Sequence, residues 1–487
     1  MSKPLEGMRY RVALAAAFIS FTTIYIVIAA LVRHPLLNDA DTFLHISVGE
    51  WILQNERLPV VDTFSYTAFG KPWFAVDWLG ELALAVAYRA AQWEGVIQLT
   101  AITFGLIAGV LTFYLARILR LSVALSLTLV ICVLISPSLL ARPVIFSYLL
   151  LSIWIVLILE FHDQNWTSTW IYILIPLMLL WANVHASFTF ALLVLYIFLC
   201  SAIYKAHVQK DAVELKHLFL LMAGVTVSAL VTPYGPESAL RTLRLMSLPV
   251  LSQIDEWQPP NFKQDPIHLG SIVVVFAVLA YSGIRLRGAH LFTLLLVTVF
   301  ALGQKRGLGL FGLVAPLILA RPIAEWLPAL RVQDERDPVT RFARSRTRFI
   351  AMVCVGITMV AVIARWTTAS EIRPPARILP EKAVAAARIA GVTGHVLNSY
   401  RFGGYLIFKG IPVFVDGRVG LYGNRFLRDY FRAMGLRDAG EAARLLRQYN
   451  VEWALLVPGE PIAFMLEENE WVRLYKDRYA VVFAKRQ

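Results

Sequence analysis

Charge is what this sequence has least of: 16% of its 487 residues are Asp, Glu, Lys or Arg, against 58% that are hydrophobic. That balance excludes a soluble enzyme built around one large core and points to a polytopic membrane protein. Cysteine is also scarce. Cys132, Cys200 and Cys354 all lie inside apolar runs, which supports neither a disulfide framework nor a thiolate metal centre. No Gly-rich phosphate loop follows a strand-like run, so a cytoplasmic nucleotide-sugar site is not expected. The net charge of +13 comes without zinc-finger spacing, a basic region with heptads or an RNP-like motif. No nucleic-acid partner is therefore expected, and membrane topology is the expected cause of the charge. Also missing are an internal repeat and paired Gly/Pro-broken helices with charges at mid-membrane, the features that favour a transporter.

What the chain does have is apolar length. Runs near 12–32, 95–116, 121–136, 144–160, 169–183, 187–204, 217–232, 268–284, 290–303, 307–320 and 349–364 predict about 11 transmembrane helices, several short enough to need tilt. The expected fold class is thus an α-helical polytopic membrane protein. The first run follows Lys3, Arg9 and Arg11 and is long for a signal-peptide core, so an uncleaved signal anchor is expected. Leu79–Ala91 has only 13 residues, with Glu81 and Arg89 interrupting its ends. It is expected as a juxtamembrane helix within an outer loop, 33–94. With the N-terminus cytoplasmic, the inside segments carry 17 Lys and Arg in 69 residues and the outside loops 10 in 110, the bias that the positive-inside rule requires. The basic linker Arg331–Arg348 reads as a topology determinant on an anionic leaflet. After Ala364 the composition turns globular, giving a membrane domain 1–364 and an extracytoplasmic α/β domain 365–487. Helices are expected there at 380–390, 424–434 and 439–448, and strands at 395–398, 412–416, 452–457 and 479–484.

One stretch of the outer loop is too polar for lipid. Asp39–Glu81 carries Asp39, Asp41, His45, Glu50, Glu56, Asp62, Asp77 and Glu81. Asp41 with His45, and Asp77 with Glu81, are spaced i, i+4, so each pair shares a face if its stretch is helical. Such pairs can set a general base or hold a divalent cation. Asp39 stands just past the first span, where an N-cap is wanted. The aromatics Trp51, Phe64, Tyr66, Trp73, Phe74 and Trp78 are most simply an interfacial belt, and alternatively a stacking surface for sugar rings. Arg142, Lys305 and Arg306 sit at outer ends of spans, against the charge bias. They suit a phosphate anion, arginine as a bidentate fork and lysine as a point charge; snorkelling to lipid headgroups is the structural alternative. His185, and Glu256 beside Asp255 and Trp257, fall on the same face. In the tail, Asp416 and Arg418 end a strand-like run, where α/β domains present binding groups. The alternative there is a local ion pair, with Gly403, Gly404 and Gly417 serving turns.

The motifs DAD, His45, GEWIL, Pro59, DTFSYT, GKPW and the DWL of Asp77–Leu79, followed by WANVH, TPYG, the EW of Glu256 and Trp257, NSYRFGGYL and VFVDGR, resemble a large group of bacterial multi-pass proteins related to the GT-C glycosyltransferases. The resemblance spans nearly the whole chain. It implies a polyprenyl-phosphate-linked sugar donor and an acidic residue of the first outer loop in catalysis, here Asp39 or Asp41. It also implies a divalent metal (Mg, Mn, Ca or Zn), for which Asp41, His45 and Asp77 are the expected ligands. Substrate-binding roles then fall to His45, Asp77, Glu81, Arg142, His185, Glu256, Lys305, Arg306, Asp416 and Arg418. One departure is Ala40, where relatives commonly have Pro between the two acids; another is Asp77, in place of a Glu or His region before WL. The function expected is a hexosyl- or pentosyltransferase of the cell inner membrane. It would act on an extracytoplasmic glycan, lipid or protein acceptor of the cell envelope, among membrane lipids. A lipid or glycan flippase, and a catalytically silent envelope-assembly protein of the same fold, are the competing classes.

Overall fold

A bilayer offers the backbone no water, so an apolar chain must satisfy its own N–H and C=O groups, and helices do this within one segment. The computed structural model describes residues 3–209, 215–286, 288–332, 345–368, 372–469 and 471–486. Among them, seven helices are long and apolar enough to cross a membrane: Arg9–Leu31, Trp78–Ala116, Leu121–Ser138, Val144–Asp163, Phe188–Val208, Lys305–Trp326 and Arg346–Thr367. Four shorter apolar helices, Thr169–Val184, Leu215–Leu230, Pro266–Ser282 and Ala289–Gly303, accompany them. These helices fall on the apolar runs of the sequence, and the chain is a multi-pass membrane protein. Most of the basic linker, 333–344, lies outside the described residues.

Leu79–Ala91 is not a free-standing juxtamembrane helix. It is the first limb of Trp78–Ala116, which breaks at Ala91 (φ −151°, ψ 29°) and Gln92 (φ 52°, ψ −141°). Gly95 lets the limbs meet, since a Cβ there would lie 1.9 Å from the Ala87 carbonyl oxygen. Trp78 and Leu82 of the first limb pack against the tail's core, whereas Ile97, Phe104 and Leu111 of the second belong to the membrane core. Leu84 of the first limb also belongs to the membrane core, so the limb that carries Glu81 bridges the two cores.

Beyond the last span, β1 (His395–Asn398), β2 (Val451–Leu456), β3 (Trp471–Lys476) and β4 (Val481–Lys485) form one sheet in the order β1-β2-β4-β3. β1 and β2 run parallel and the other pairs antiparallel. The strand expected at 412–416 is instead an extended segment with a single bridge, Val413 to Ser65 of the loop. Its apolar residues are buried between loop and tail and need no ladder. β3 is absent from the sequence-based expectation because it is a half-exposed edge strand with little apolar alternation.

The tail's core is shared. Phe43, Val48, Ile52 and Trp73 of the loop are buried in one cluster with Val396, Tyr405, Phe414 and Val415 of the tail. Phe43 meets Tyr405 and Phe408 edge-on, at 5.5 and 5.4 Å between centroids, a burial that stabilises docking by roughly 1.5–3 kcal/mol. Val413 N donates to Phe64 O and Tyr66 N to Val413 O, each at 3.2 Å. The aromatics expected as an interfacial belt are largely used here. Tyr66 stacks on His395 at 4.1 Å, Phe74 packs on Tyr234 at 4.8 Å and Trp78 Nε1 donates to Asn183 at 3.0 Å. These rings are half-buried against the tail and the neighbouring loops.

Candidate functional site

The site begins where two helices touch. Helix Asp41–Asn55 approaches the first limb of Trp78–Ala116 at Gly49, where a Cβ would lie 2.2 Å from the Glu81 carbonyl oxygen. One turn earlier, this contact brings His45 Nδ1 to 3.0 Å from Glu81 Oε1. Burial pushes the His45 imidazole down, but the Glu81 hydrogen bond, then the charges of Glu81, Asp41 and Asp77, hold it above its usual value. Glu81 Oε2 is buried with no hydrogen-bond partner among the described residues.

Asp39, one residue before the N-cap Ala40, accepts from the Asp41 backbone N–H at 2.7 Å in an Asx turn and pairs with Arg142. Arg142 also lies 3.4 Å from Asp41 Oδ2 and 3.5 Å from Glu256 Oε2. Arg306 takes the other Glu256 oxygen and covers the Trp257 ring at 4.6 Å. One guanidinium thus faces carboxylates from the first loop and from the 231–265 segment. Burial pushes the Asp41 carboxyl up; Arg142 opposes this, Asp39 adds to it, and the result is above the usual value. Burial also acts upward on Glu256, but Arg306 and Arg142 outweigh it and hold that carboxyl below its usual value. Arg142 Nε is buried without a hydrogen-bond partner among the described residues.

Three expected residues are engaged in positioning. Asp77 Oδ1 accepts from Ala186 N at 3.1 Å, and His185 Nδ1 accepts from Ser187 N at 3.1 Å. Burial lowers the His185 imidazole, with Asp77 acting the other way. Lys305 Nζ donates to Asp255 Oδ1 at 2.6 Å and Gln264 Oε1 at 2.7 Å. The expected metal ligands Asp41, His45 and Asp77 are not gathered into a ligand set. Among the described residues no group of three His, Cys, Asp or Glu is so arranged. Asp41 faces Arg142 and Asp77 Oδ1 accepts from the Ala186 backbone, while the Glu81 contact engages only Nδ1 of His45.

The tail closes the site from the other side. Arg418 donates from Nε and Nη2 to the two Asp416 oxygens at 2.8 and 2.7 Å, and from Nη1 to Asp62 Oδ1 at 2.6 Å, across 356 residues of sequence. The Tyr422 hydroxyl donates to Asp416 at 2.6 Å. Phe64 and Trp73 flank the guanidinium at 5.2 and 4.6 Å. Asp416 and Arg418 do form an ion pair, but it reaches into the loop. Arg418 outweighs the upward push of burial on Asp416 and holds its carboxyl below the usual value. Gly404 and Gly417 serve close approach: a Cβ would lie 2.2 Å from Ala40 O in one case and 2.4 Å from Asp41 Oδ1 in the other. Tyr400 also faces this junction, its phenol pushed well above its usual value by burial and then by Asp41, Asp416 and Glu256. Its signal was the NSYRFGGYL motif. Asp62 opens the DTFSYT motif, but its partner Arg418 is distant in the chain.

No family model matches the chain, and no curated protein matches its sequence. Solved structures do match. The apo oligosaccharyltransferase of Archaeoglobus fulgidus gives a TM-score of 0.57 at 11% identity, over 90% of this chain and 69% of that one. The archaeal oligosaccharyltransferase AglB of the same organism, in complex with an inhibitory peptide and a dolichol-phosphate, gives 0.59 at 11% identity over 96% and 74%. A complex of the archaeal enzyme with Zn and sulfate gives 0.53 at 11% identity over 97% and 73%. At that identity it is the fold that is shared, and the helical bundle with its polar loop and small sheet-bearing tail has the fold of the GT-C glycosyltransferases.

Proposed function

We propose that the protein is a glycosyltransferase moving a hexose or pentose from a polyprenyl-phosphate-linked donor to a glycan, lipid or protein acceptor of the cell envelope. The observation that carries this reading is the meeting of Asp41 with Arg142, at the end of the bundle where loop and tail close over them. Glycosyl transfer passes through an oxocarbenium-like state. A carboxylate then takes the proton of the acceptor hydroxyl, and guanidiniums neutralise the departing lipid phosphate. Asp41 suits the base better than Asp39, which is buried and already holds both Arg142 and the Asp41 backbone N–H. The tail keeps water from the anomeric carbon. The dolichol-phosphate complex of the archaeal enzyme supports a lipid-phosphate donor. Zn was present in another of its structures, but the acids here already have protein partners, and the scheme runs on the chain's own residues. The charge bias supports a tail on the extracytoplasmic face of the membrane.

The test uses spheroplasts of cells making the full chain. Protease added outside should cut the tail, and a polyprenyl-phosphate sugar should be consumed on that face. Asp41→Asn should insert normally and lower transfer by about 10²–10⁴-fold, the usual share of a general base. Unchanged transfer by a normally inserted Asp41→Asn protein, or a tail reached only after lysis, would sink the proposal as drawn.

A further inference from the structure

The two arginines expected to take a phosphate already hold an anion between them. Glu256 turns one oxygen to Arg306 Nη2 and the other to Arg142 Nη1, the latter at 3.5 Å. It stands on the short turn Asp255–Trp257, which is strapped to the start of helix Lys305–Trp326. Lys305 Nζ donates to Asp255 at 2.6 Å, Lys305 N donates to Gln258 O at 2.9 Å, and Arg306 covers Trp257 at 4.6 Å. A carboxylate between two guanidinium forks makes the contacts that two oxygens of a phosphate monoester would make. The cluster still has donor capacity left over. Arg142 Nε is buried without a hydrogen-bond partner among the described residues, and a phosphate brings the further oxygen that a carboxylate lacks.

We infer that Glu256 is an internal stand-in for the phosphate monoester that the lipid carries once its sugar has left: it fills the Arg142–Arg306 fork in the resting protein, and a polyprenyl monophosphate binds by displacing it. The inference rests on the proposed lipid-phosphate-dependent transfer. Displacement separates Glu256 from both arginines and so loosens the Asp255–Trp257 turn. The competing carboxylate also sets a threshold. A ligand must offer more negative charge or better fork geometry than Glu256 to enter, which rejects the neutral polyprenol that shares the same tail. Neither group reacts covalently; the step is an exchange of anions at one pair of forks.

The full chain in lipid nanodiscs, titrated with a polyprenyl monophosphate and separately with the neutral polyprenol, tests this by equilibrium binding. Wild type should bind the phosphate saturably and the alcohol not at all. Glu256→Gln, which keeps the shape and removes the charge, should bind the phosphate roughly five- to tenfold tighter, as expected when a competing closed state that dominates at rest is removed. Arg306→Ala should bind more weakly than wild type. Hydrogen exchange on the wild-type protein provides the second arm: amides of 249–258 should exchange faster with phosphate bound. Equal or weaker binding by a Glu256→Gln protein with an unchanged melting temperature overturns the inference and leaves the transferase reading standing, as does slower exchange in 249–258. Absence of saturable phosphate binding by wild type overturns both.

Discussion

Two ion clusters lie within a few side chains of each other, one buried and one half-buried, and they are built differently. In the Asp62–Asp416–Arg418 cluster every guanidinium nitrogen of Arg418 donates at 2.6 to 2.8 Å, and Tyr422 adds a further hydrogen bond to Asp416. In the Asp39–Asp41–Arg142–Glu256 cluster two of the contacts are loose, at 3.4 and 3.5 Å, and Arg142 Nε is left over. A buried charge costs several kcal/mol unless it is fully paired. The saturated cluster therefore reads as structure, a latch that pins the tail to the first loop. The unsaturated one reads as a place where a further ligand completes the pairing. Sequence alone puts both arginines in one list of binding residues. The difference lies in how many of their donors the protein itself uses.

Breaking the latch should have the largest effect. Arg418→Ala leaves Asp62 and Asp416 buried without their cation, a loss of about 3–5 kcal/mol, with the tail released from the loop. Thermal melting in detergent and limited proteolysis of the tail would read it. A melting curve that matches wild type would erase the contrast drawn between the two clusters. Gly417→Ala is the smaller and more local change. Its Cβ would meet Asp41 Oδ1 at 2.4 Å, so either the carboxylate turns or the tail lifts, at about 1–3 kcal/mol of overpacking. Transfer should fall more than stability, because a displacement of about 1 Å can cost ~10²-fold in rate. Full transfer by Gly417→Ala would show that the tail does not bear on Asp41.

The legible parts of the fold are those where physics leaves one option. Lipid forces continuous apolar runs into helices, so all eleven runs are helical in the structure. The Asp41–His45 spacing gave the shared helix face for the same reason: 3.6 residues per turn. Long-range pairing is where legibility ends. The run at 412–416 has β-like composition, yet it is spent on packing between loop and tail, and β3 is a strand with almost no apolar pattern. Leu79–Ala91 was readable as a helix, whereas its continuation past Gln92 depends on a single residue at positive φ. The metal set is implied by the resemblance alone, and the three residues instead face Glu81, Arg142 and a backbone amide.

Acid should separate the two clusters by the sign of their carboxyl shifts. Asp416 is held below its usual value because Arg418 outweighs the upward push of burial. A carboxyl lowered in the folded state binds its proton more readily when unfolded. Its stabilisation is therefore complete above the ordinary aspartate range, near about 3.9, and is lost as pH falls through the lower folded value. The gap in melting temperature between wild type and Asp416→Asn should be flat above about pH 5 and close only in stronger acid. Asp41 carries the opposite shift, raised first by burial and then by Asp39 against the pull of Arg142. Its ionised form should be lost at higher pH than that of Asp416. Along one acid titration, transfer should then decline while the tail is still latched and resistant to protease. A gap that closes already near neutral pH, or a tail that detaches before transfer falls, would show that the latch is the weaker of the two clusters and reverse their assigned roles.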